Sequence, residues 1–429
     1  MKKILNSYID FISIFLIKIA LKFNSHRLCG FLIWLNIRKI KKIKTKLKNT
    51  KKILVFPKSG GFEDLVESFA KKNSNITFYL LPRAFLKEVF NHFFKQNDKN
   101  RIRDYFTKLN TLDKIEKKNA YINFLTLTFK YINNFLKLDG YVSFNLFYYA
   151  EKYFDEVCVN LNSKFIILQK ESIFTPEEEA GAVKIYEKYN EKSKAYKVSV
   201  YSQSQKKILI KSNLINKEKV IVNGNPRSDY SFKLRKIKPK GKTIVYYLIQ
   251  INRGSNFFIE NKNINWKKLY NQTLQYIIEF ARQNPTYKII LKGKNGVHKK
   301  HHFNSKTLPK NCFFFQDGMG HKLLKDASAV IAFNSTIVLE AILANRNLII
   351  PNFNNENILK KKFLLNIKNN EYFANNKKQF IKKINDYLRL KYKAEKLSKS
   401  DLETLKYYVG NADGKSGIRV QKFIRRILN

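Results

Sequence analysis

At 429 residues, 44% of them hydrophobic, the chain is long enough for two cores and too apolar to be a disordered polymer. Its 83 Lys and Arg against 33 Asp and Glu give a formal charge of +50, which points to anionic partners. The three scattered cysteines, Cys29, Cys158 and Cys312, exclude a disulfide framework and fit a reducing cytoplasm; neither they nor His298, His301 and His302 show the spacing of a metal site, so no metal is expected.

Basic residues run through every segment instead of forming one stripe with interleaved aromatics, which makes nucleic acid an unlikely partner and an anionic membrane surface an easier one. The bias toward Lys, Asn, Ile, Phe and Tyr is also what AT-rich codons produce, so part of the charge needs no function. Residues 1–50 form a basic and apolar helical extension: Ile4–Phe23 is apolar but broken by Asp10 and Lys18, and Leu28–Ile37 precedes the basic run Arg38–Lys52. A span wants about 20 uninterrupted apolar residues, so this extension is expected to lie on a membrane surface or to pack on the first domain.

Lys52–Pro57 then reads as a strand, followed by Lys58-Ser59-Gly60-Gly61-Phe62-Glu63-Asp64 and a helix through Ala70, the opening unit of a doubly wound domain. Gly60 and Gly61 allow a ligand close to the backbone, and Glu63 or Asp64 would face it; a turn without a ligand is the alternative. Ile76–Leu80 is a second strand, and long helices follow through Leu138. Tyr141–Phe147 and Val157–Leu161 are short apolar runs of less definite type. Phe165–Leu168 is a strand whose carboxyl end carries Lys170 and Glu171, both candidate site residues. Glu177–Glu179 open the helix Pro176–Tyr189 behind Thr175, where capping explains them better than catalysis does.

Two further strands, Lys197–Tyr201 and Lys219–Val222, flank the helix Gln203–Lys211, and Gly224-Asn225-Pro226-Arg227-Ser228-Asp229 then leads to a basic linker before a new sheet opens at Thr243. The second half alternates in the same way: Lys267–Arg282 as helix, Lys288–Leu291 as strand with Lys292 and Lys294 at its end, Cys312–Phe315 as strand and His321–Ala327 as a short helix. Ala329–Pro351 completes the pattern with a strand, the turn Asn334-Ser335-Thr336, a helix and a strand. Ser335 and Thr336 stand at the helix amino terminus, where unpaired N–H groups and the helix dipole favour an anion. Glu340, one turn further in, is placed to accept hydrogen bonds from a ribose diol, although a helix cap alone would also account for these residues. The fold expected is therefore α/β, with an N-terminal doubly wound domain over 51–235, a second over 240–408 and a terminal helix in 409–429 that packs back.

Three segments together resemble the GT-B glycosyltransferases of bacterial surface-carbohydrate synthesis and the related CDP-glycerol glycerophosphotransferases: GNPRSD at Gly224–Asp229, FNSTIVLEAILANRNLIIP at Phe333–Pro351, and GNADGKSGIRV at Gly410–Val420. The resemblance implies two Rossmann-like domains facing a cleft, with acceptor bound by the first and nucleotide-sugar donor by the second. It implies that Asn334, Ser335 and Thr336 hold the donor diphosphate, that Glu340 holds the ribose, and that Lys292, Lys294 and His298 lie near the pyrophosphate, where positive charge favours departure of the nucleotide. Asn225, Arg227 and Asp229 belong to the motif that closes the first domain. The general base would come from Glu63, Asp64 or Glu171. No cofactor is implied, since the nucleotide-sugar is a substrate. The glycerophosphotransferases tend to carry a proline and histidine where this chain has Lys294-Asn295-Gly296-Val297-His298, a departure that counts against glycerol phosphate as the transferred group. A polyol-phosphate (CDP-glycerol-like) transferase or a UDP-sugar 2-epimerase on the same fold, and a basic protein that binds nucleic acid or lipid without catalysis, are the alternatives. The implied place is the cytoplasmic face of the membrane of a bacterium building capsule or lipopolysaccharide.

Overall fold

The computed structural model describes residues 2–43, 50–58, 60–70, 75–94, 112–170, 173–189, 191–239, 241–255, 257–258, 263–294, 297–298, 303, 308–353, 361–390 and 396–429. The chain divides into two compact units. One comprises Met1–Ser172, Val183–Pro226 and Gly417–Asn429; the other comprises Ile173–Ala182 and Arg227–Ser416.

The first unit opens with helices α1 (Lys2–Lys22) and α2 (His26–Leu35). It continues through β1 (Arg38–Lys39), β2 (Lys51–Val55), α3 (Gly61–Ala70), β3 (Ile76–Leu80), α4 (Arg83–Phe93), α5 (Leu112–Leu136) and β4 (Gly140–Ser143). After these come α6 (Phe154–Asn160), β5 (Lys164–Leu168), α7 (Pro176–Tyr189), β6 (Lys197–Val200), α8 (Gln203–Lys211) and β7 (Val220–Val222). Its sheet runs β1-β3-β2-β4-β5-β6-β7, with β1 antiparallel and the rest parallel. The apolar run Tyr141–Phe147 thus supplies β4, whereas Val157–Leu161 falls mostly in α6. Phe154, Val157 and Cys158 recur at helical spacing on a buried face, and Asp155 and Glu156 suit a first helical turn.

The second unit contains α9 (Ser228–Leu234), β8 (Thr243–Tyr247), the hairpin of β9 (Asn252–Gly254) and β10 (Asn263–Asn265), α10 (Lys267–Gln283), β11 (Lys288–Lys292) and β12 (Cys312–Phe315). Then follow β13 (Ala329–Ile331), α11 (Thr336–Leu343), β14 (Asn347–Pro351), β15 (Phe373–Ala374), α12 (Lys377–Arg389) and α13 (Lys399–Tyr408). The six-stranded sheet is parallel in the order β12-β11-β8-β13-β14-β15. The chain works outward from β8 in one direction and resumes on its other side with β13. The crevice beyond the carboxyl ends of β8 and β13 is therefore the topological switch point, where open α/β sheets hold ligands.

The last helix, α14 (Ser416–Leu428), belongs from Gly417 onward to the first unit. Val420, Phe423, Ile424 and Ile427 repeat at helical spacing and enter the same apolar cluster as Ile53, Val55, Val142 and Ile166 of the first sheet. Arg419 Nε donates to the Asn223 carbonyl at 2.8 Å, and Gln421 donates to the Ser68 carbonyl. Within the second unit the end of the GNPRSD motif is fastened to the DGKS segment: Asp229 Oδ1 accepts the Ser416 N–H at 2.9 Å. Gly414, at φ +70°, lies so close to Phe232 that a Cβ would meet its ring at 2.6 Å.

His321 is the second residue of a 3-10 turn, Gly320–Lys325, in the second unit, with its ring edge-on to Tyr230 at 5.2 Å. Burial, reinforced by the charges of Arg227 and Lys322, lowers its pKa to about 4. Between pH 6.5 and 4 the unfolded chain takes a proton that the folded ring refuses, so stability falls as the pH drops through that window. Urea denaturation at pH 7 and pH 5 should show this loss, and His321→Leu should reduce it; equal losses in both proteins would remove His321 from the explanation. The first sheet's dependence on α14 is checked in the same assay at pH 7. Ile424→Ala, at a fully buried position, should cost about 2–5 kcal/mol, and Ile418→Ala, at an exposed one, within about 0.5 kcal/mol.

Candidate functional site

Three segments meet at the carboxyl ends of β8 and β13. Ser335 caps α11 with an extended backbone, and its hydroxyl makes no bond to the helix N–H groups; it and Thr336 are both exposed. Behind them Asn334 holds φ +44°, a conformation asparagine tolerates better than most side chains. Both ends of its amide are engaged, donating to the Phe363 carbonyl at 2.9 Å and accepting the Leu365 N–H at 2.9 Å. Asn334 therefore shapes the turn that presents Ser335 and Thr336 instead of offering its own side chain.

Arg253, on the hairpin that follows β8, reaches the same turn. Its Nη1 donates to the Asn334 carbonyl at 3.3 Å, and its Nη2 contacts both oxygens of Glu178 at 2.9 and 3.1 Å. Glu178 is itself held by Thr175, whose N–H and hydroxyl donate to it at 2.9 and 3.0 Å in a capping box. Glu340 is buried, one turn into α11. Tyr247, the last residue of β8, donates its hydroxyl to the Gly320 carbonyl at 2.9 Å. Burial first and the nearby Glu340 charge second hold that phenol protonated. The result is a helix amino terminus with two exposed hydroxyls, a guanidinium beside it and a carboxylate just inside: complementary to a diphosphate joined to a diol.

The residues after β11 divide into supports and surface. Lys292 is buried and donates to the Gln316 and Asp317 carbonyls at 2.5 and 3.0 Å, and its desolvation lowers its pKa. His298 accepts the Lys294 N–H on Nδ1 at 3.0 Å and lies 3.1 Å through Nε2 from the Ile249 carbonyl, which fixes the proton on Nε2. Burial lowers its pKa, so the ring is neutral. Lys292 and His298 thus brace the loops around the switch point. Lys294 has an exposed side chain.

In the first unit Gly60 adopts φ +87° and donates its N–H to the Glu63 carboxylate, a local turn closed by its own helix. Gly61 packs so tightly on Phe144 that a Cβ would stand 2.6 Å from the ring, so its missing side chain serves the contact between α3 and β4. Asp64 is buried and lines a small cavity with Phe144, Ser199, Tyr201, Gly224 and Val420. The Lys170 backbone N–H donates to the Phe144 carbonyl at 2.9 Å, which places it at the same end of the sheet. Glu171 lies outside the described residues. Asn225 is buried and Arg227 half-buried, each at the change of unit, and Asp229 is engaged by Ser416. Among the described residues no group of three or more His, Cys, Asp or Glu is arranged to hold a metal ion.

Arg253 and Tyr247 are not among the residues the sequence singles out, and capping alone does not account for Glu178, which also holds Arg253. Tyr247 ends the first strand of a doubly wound domain, which is a legible signal. Arg253 follows six residues later on a hairpin with no sequence motif of its own.

No family model matches the chain, and no curated protein matches it. Among solved structures it is similar to the wall teichoic acid polymerase TagF, at 11% identity and a TM-score of 0.48 over 99% of this chain and 98% of that one. It is also similar to MnaA of S. aureus in complex with UDP, at 11% identity and 0.47 over 89% and 97%. A third similar structure is a UDP-forming trehalose-phosphate synthase from Burkholderia xenovorans, at 9% identity and 0.43 over 89% and 99%.

Proposed function

We propose that the chain is a glycosyltransferase that moves a sugar from a nucleotide-diphosphate donor to a growing surface polysaccharide or lipopolysaccharide, with no bound metal. The observation that carries this reading is the start of α11: exposed Ser335 and Thr336 at a free helix amino terminus, Arg253 3.3 Å from the turn before them, and Glu340 one turn inside, all at the switch point of a parallel sheet. An acceptor hydroxyl oxygen attacks the anomeric carbon, the bond from that carbon to the diphosphate oxygen breaks, and the departing oxygen gains negative charge. Arg253 and the α11 N–H groups interact more strongly as that charge grows, which lowers the barrier. The hydroxyl proton passes to a general base, for which Glu63, Asp64 and Glu171 are the candidates.

The acceptor side of this reading includes a membrane surface. No helix among the described residues is long and apolar enough to cross a bilayer. Yet Phe11, Phe15 and Phe23 of the α1 region stand 72%, 59% and 79% exposed, and Phe31, Leu35 and Phe135 of α2 and α5 are exposed with them, alongside Lys18, Lys22, Arg27 and Lys41. Apolar insertion and attraction to anionic headgroups would act together there. Cosedimentation with phosphatidylglycerol vesicles should pull the protein down, and Phe11→Glu with Phe15→Glu should release most of it while leaving the melting temperature unchanged. Equal sedimentation of the double variant would place the contact elsewhere.

The donor reading is tested by melting the protein with UDP, CDP, GDP, CMP and their sugar conjugates. A nucleotide at about 100 times its Kd stabilises the fold by about 2.7 kcal/mol. One base should do so selectively, and Glu340→Gln should weaken that ligand about tenfold to a hundredfold, the effect of losing charged hydrogen bonds to the ribose. Stabilisation by CDP-glycerol alone would move the assignment to polyol-phosphate transfer. Stabilisation by RNA and none by any nucleotide would replace the transferase with a nucleic-acid-binding protein.

A further inference from the structure

The first unit has a switch point of its own. Its sheet turns back between β2 and β4, and the residues beyond the carboxyl ends of β3, β2 and β4 carry an arrangement that the donor site does not use. Arg83 opens α4 just after β3; Lys58 follows β2; Ser143 ends β4, and Tyr148 and Glu151 come next. The Glu151 carboxylate, its side chain only 2% exposed, holds Arg83 through Nε and accepts from Ser143 Oγ at 3.3 Å. The face of the guanidinium lies on Tyr148, 4.1 Å from the ring centroid. Lys58 Nζ stands 5.4 Å from the same centroid, and Lys87, on α4, adds its charge near Glu151.

Arg83 is thus fixed at Nε and across one face, and its side chain is only 11% exposed. Its two terminal nitrogens, however, have no hydrogen-bond partner among the described residues. A guanidinium anchored in this manner presents a preorganised pair of donors that matches two oxygens of a phosphate. With Lys58 and Lys87 beside it, the surroundings carry more positive charge than the single carboxylate balances. A purely structural ion pair would ordinarily turn the open edge of the arginine onto a carbonyl or carboxylate, as Arg253 does.

We propose that Arg83, positioned by Glu151 and Tyr148 and flanked by Lys58 and Lys87, forms an oxyanion receptor at the switch point of the first unit that binds a phosphate group of the acceptor. Assigning the phosphate to the acceptor rests on the transferase reading; the receptor itself rests on the first unit alone. Its phosphate comes from a soluble sugar phosphate or from a lipid headgroup, two sources of one chemistry.

The experiment is a phosphorus NMR titration of inorganic phosphate against the full chain at fixed ionic strength, with no donor present. Wild type should show a saturable site. Arg83→Lys should weaken it about tenfold or more, since the bidentate geometry is lost while the charge stays. Arg83→Gln combined with Glu151→Gln should abolish it, and Arg253→Gln should leave it intact. The double variant avoids a lone buried charge, and because burial already pushes the Glu151 carboxyl up to about 7, its replacement by glutamine is compatible with folding. Should the double variant fail to fold, Lys58→Ala and Tyr148→Ala carry the same test and should each weaken the site. Equal binding by wild type and these variants, or no saturable binding by wild type, overturns the proposal. Phosphatidylcholine vesicles with and without phosphatidic acid identify the source: competition by the acidic vesicles alone assigns the site to a lipid phosphate, and competition by soluble glucose 1-phosphate assigns it to a soluble one. Because no donor is used, absence of the receptor leaves the transferase reading standing, and absence of transferase activity leaves the receptor standing.

Discussion

A parallel sheet must be covered on both faces, because its strands are apolar on both and its backbone is fully engaged with its neighbours. The first unit meets that requirement with a helix taken from the far end of the chain. Ile424 and Ile427 of α14 lie in the same apolar cluster as Ile53 and Val142, and the intervening second unit is built before those residues exist to cover the sheet. The two short motifs beside the crossings serve this demand. Asp229 holds the Ser416 N–H at the start of α14, and Gly414 lets the chain pass against Phe232. Their sequence character as a Gly-Asn-Pro turn and an Asp-Gly-Lys turn is therefore a consequence of routing the chain, and ligand chemistry is not needed to explain it.

Charge gives the placement of acids its meaning. With 33 carboxylates against 83 cations, a buried acid in this chain has many possible partners, and its choice among them is informative. Glu178, Glu340, Asp64 and Glu151 all lie at or near the carboxyl ends of strands, where a doubly wound sheet keeps its ligands. The acids that pair with lysines elsewhere, such as Glu279 with Lys377 and Asp386 with Lys382, sit on exposed helix surfaces where such pairs contribute little. The distinction between a solvated charge and a placed one is made by burial, and composition does not contain it.

Alternation of apolar runs with amphipathic stretches made the two doubly wound sheets legible, and Ala329–Pro351 was read with the strand, turn and helix the structure has. Side-chain roles were less legible. Asn334, Lys292 and His298 have the chemistry of ligands, but each satisfies a neighbouring backbone group whose position depends on a distant loop. Gly61 has the look of a phosphate-loop glycine, yet the group that requires it to be glycine is Phe144, more than 80 residues on. Arg83 and Arg253 carry no motif at all. Nothing local marks an arginine that a remote glutamate will fix, because the pair forms only when the sheet brings their loops together.

Each unit in fact places an arginine just beyond a strand near its switch point and ties it to a buried glutamate, Arg83 to Glu151 and Arg253 to Glu178. The two pairs differ in which edge is held. Glu178 engages Nη2 and the Asn334 carbonyl engages Nη1, so a diphosphate arriving at α11 must compete for Arg253 with groups already on it. Glu151 holds Arg83 at Nε and, among the described residues, nothing engages its outer edge, so the proposed oxyanion would add to the existing contacts without breaking them. Partial loss of an ion pair would make the proposed donor binding weaker than its contacts suggest, and would couple it to the turn of Asn334 and to the segment that carries Glu178. The open edge of Arg83 has no such linkage. On the proposed assignments, binding at the second unit would require its ion pair to rearrange, whereas binding at the first would not.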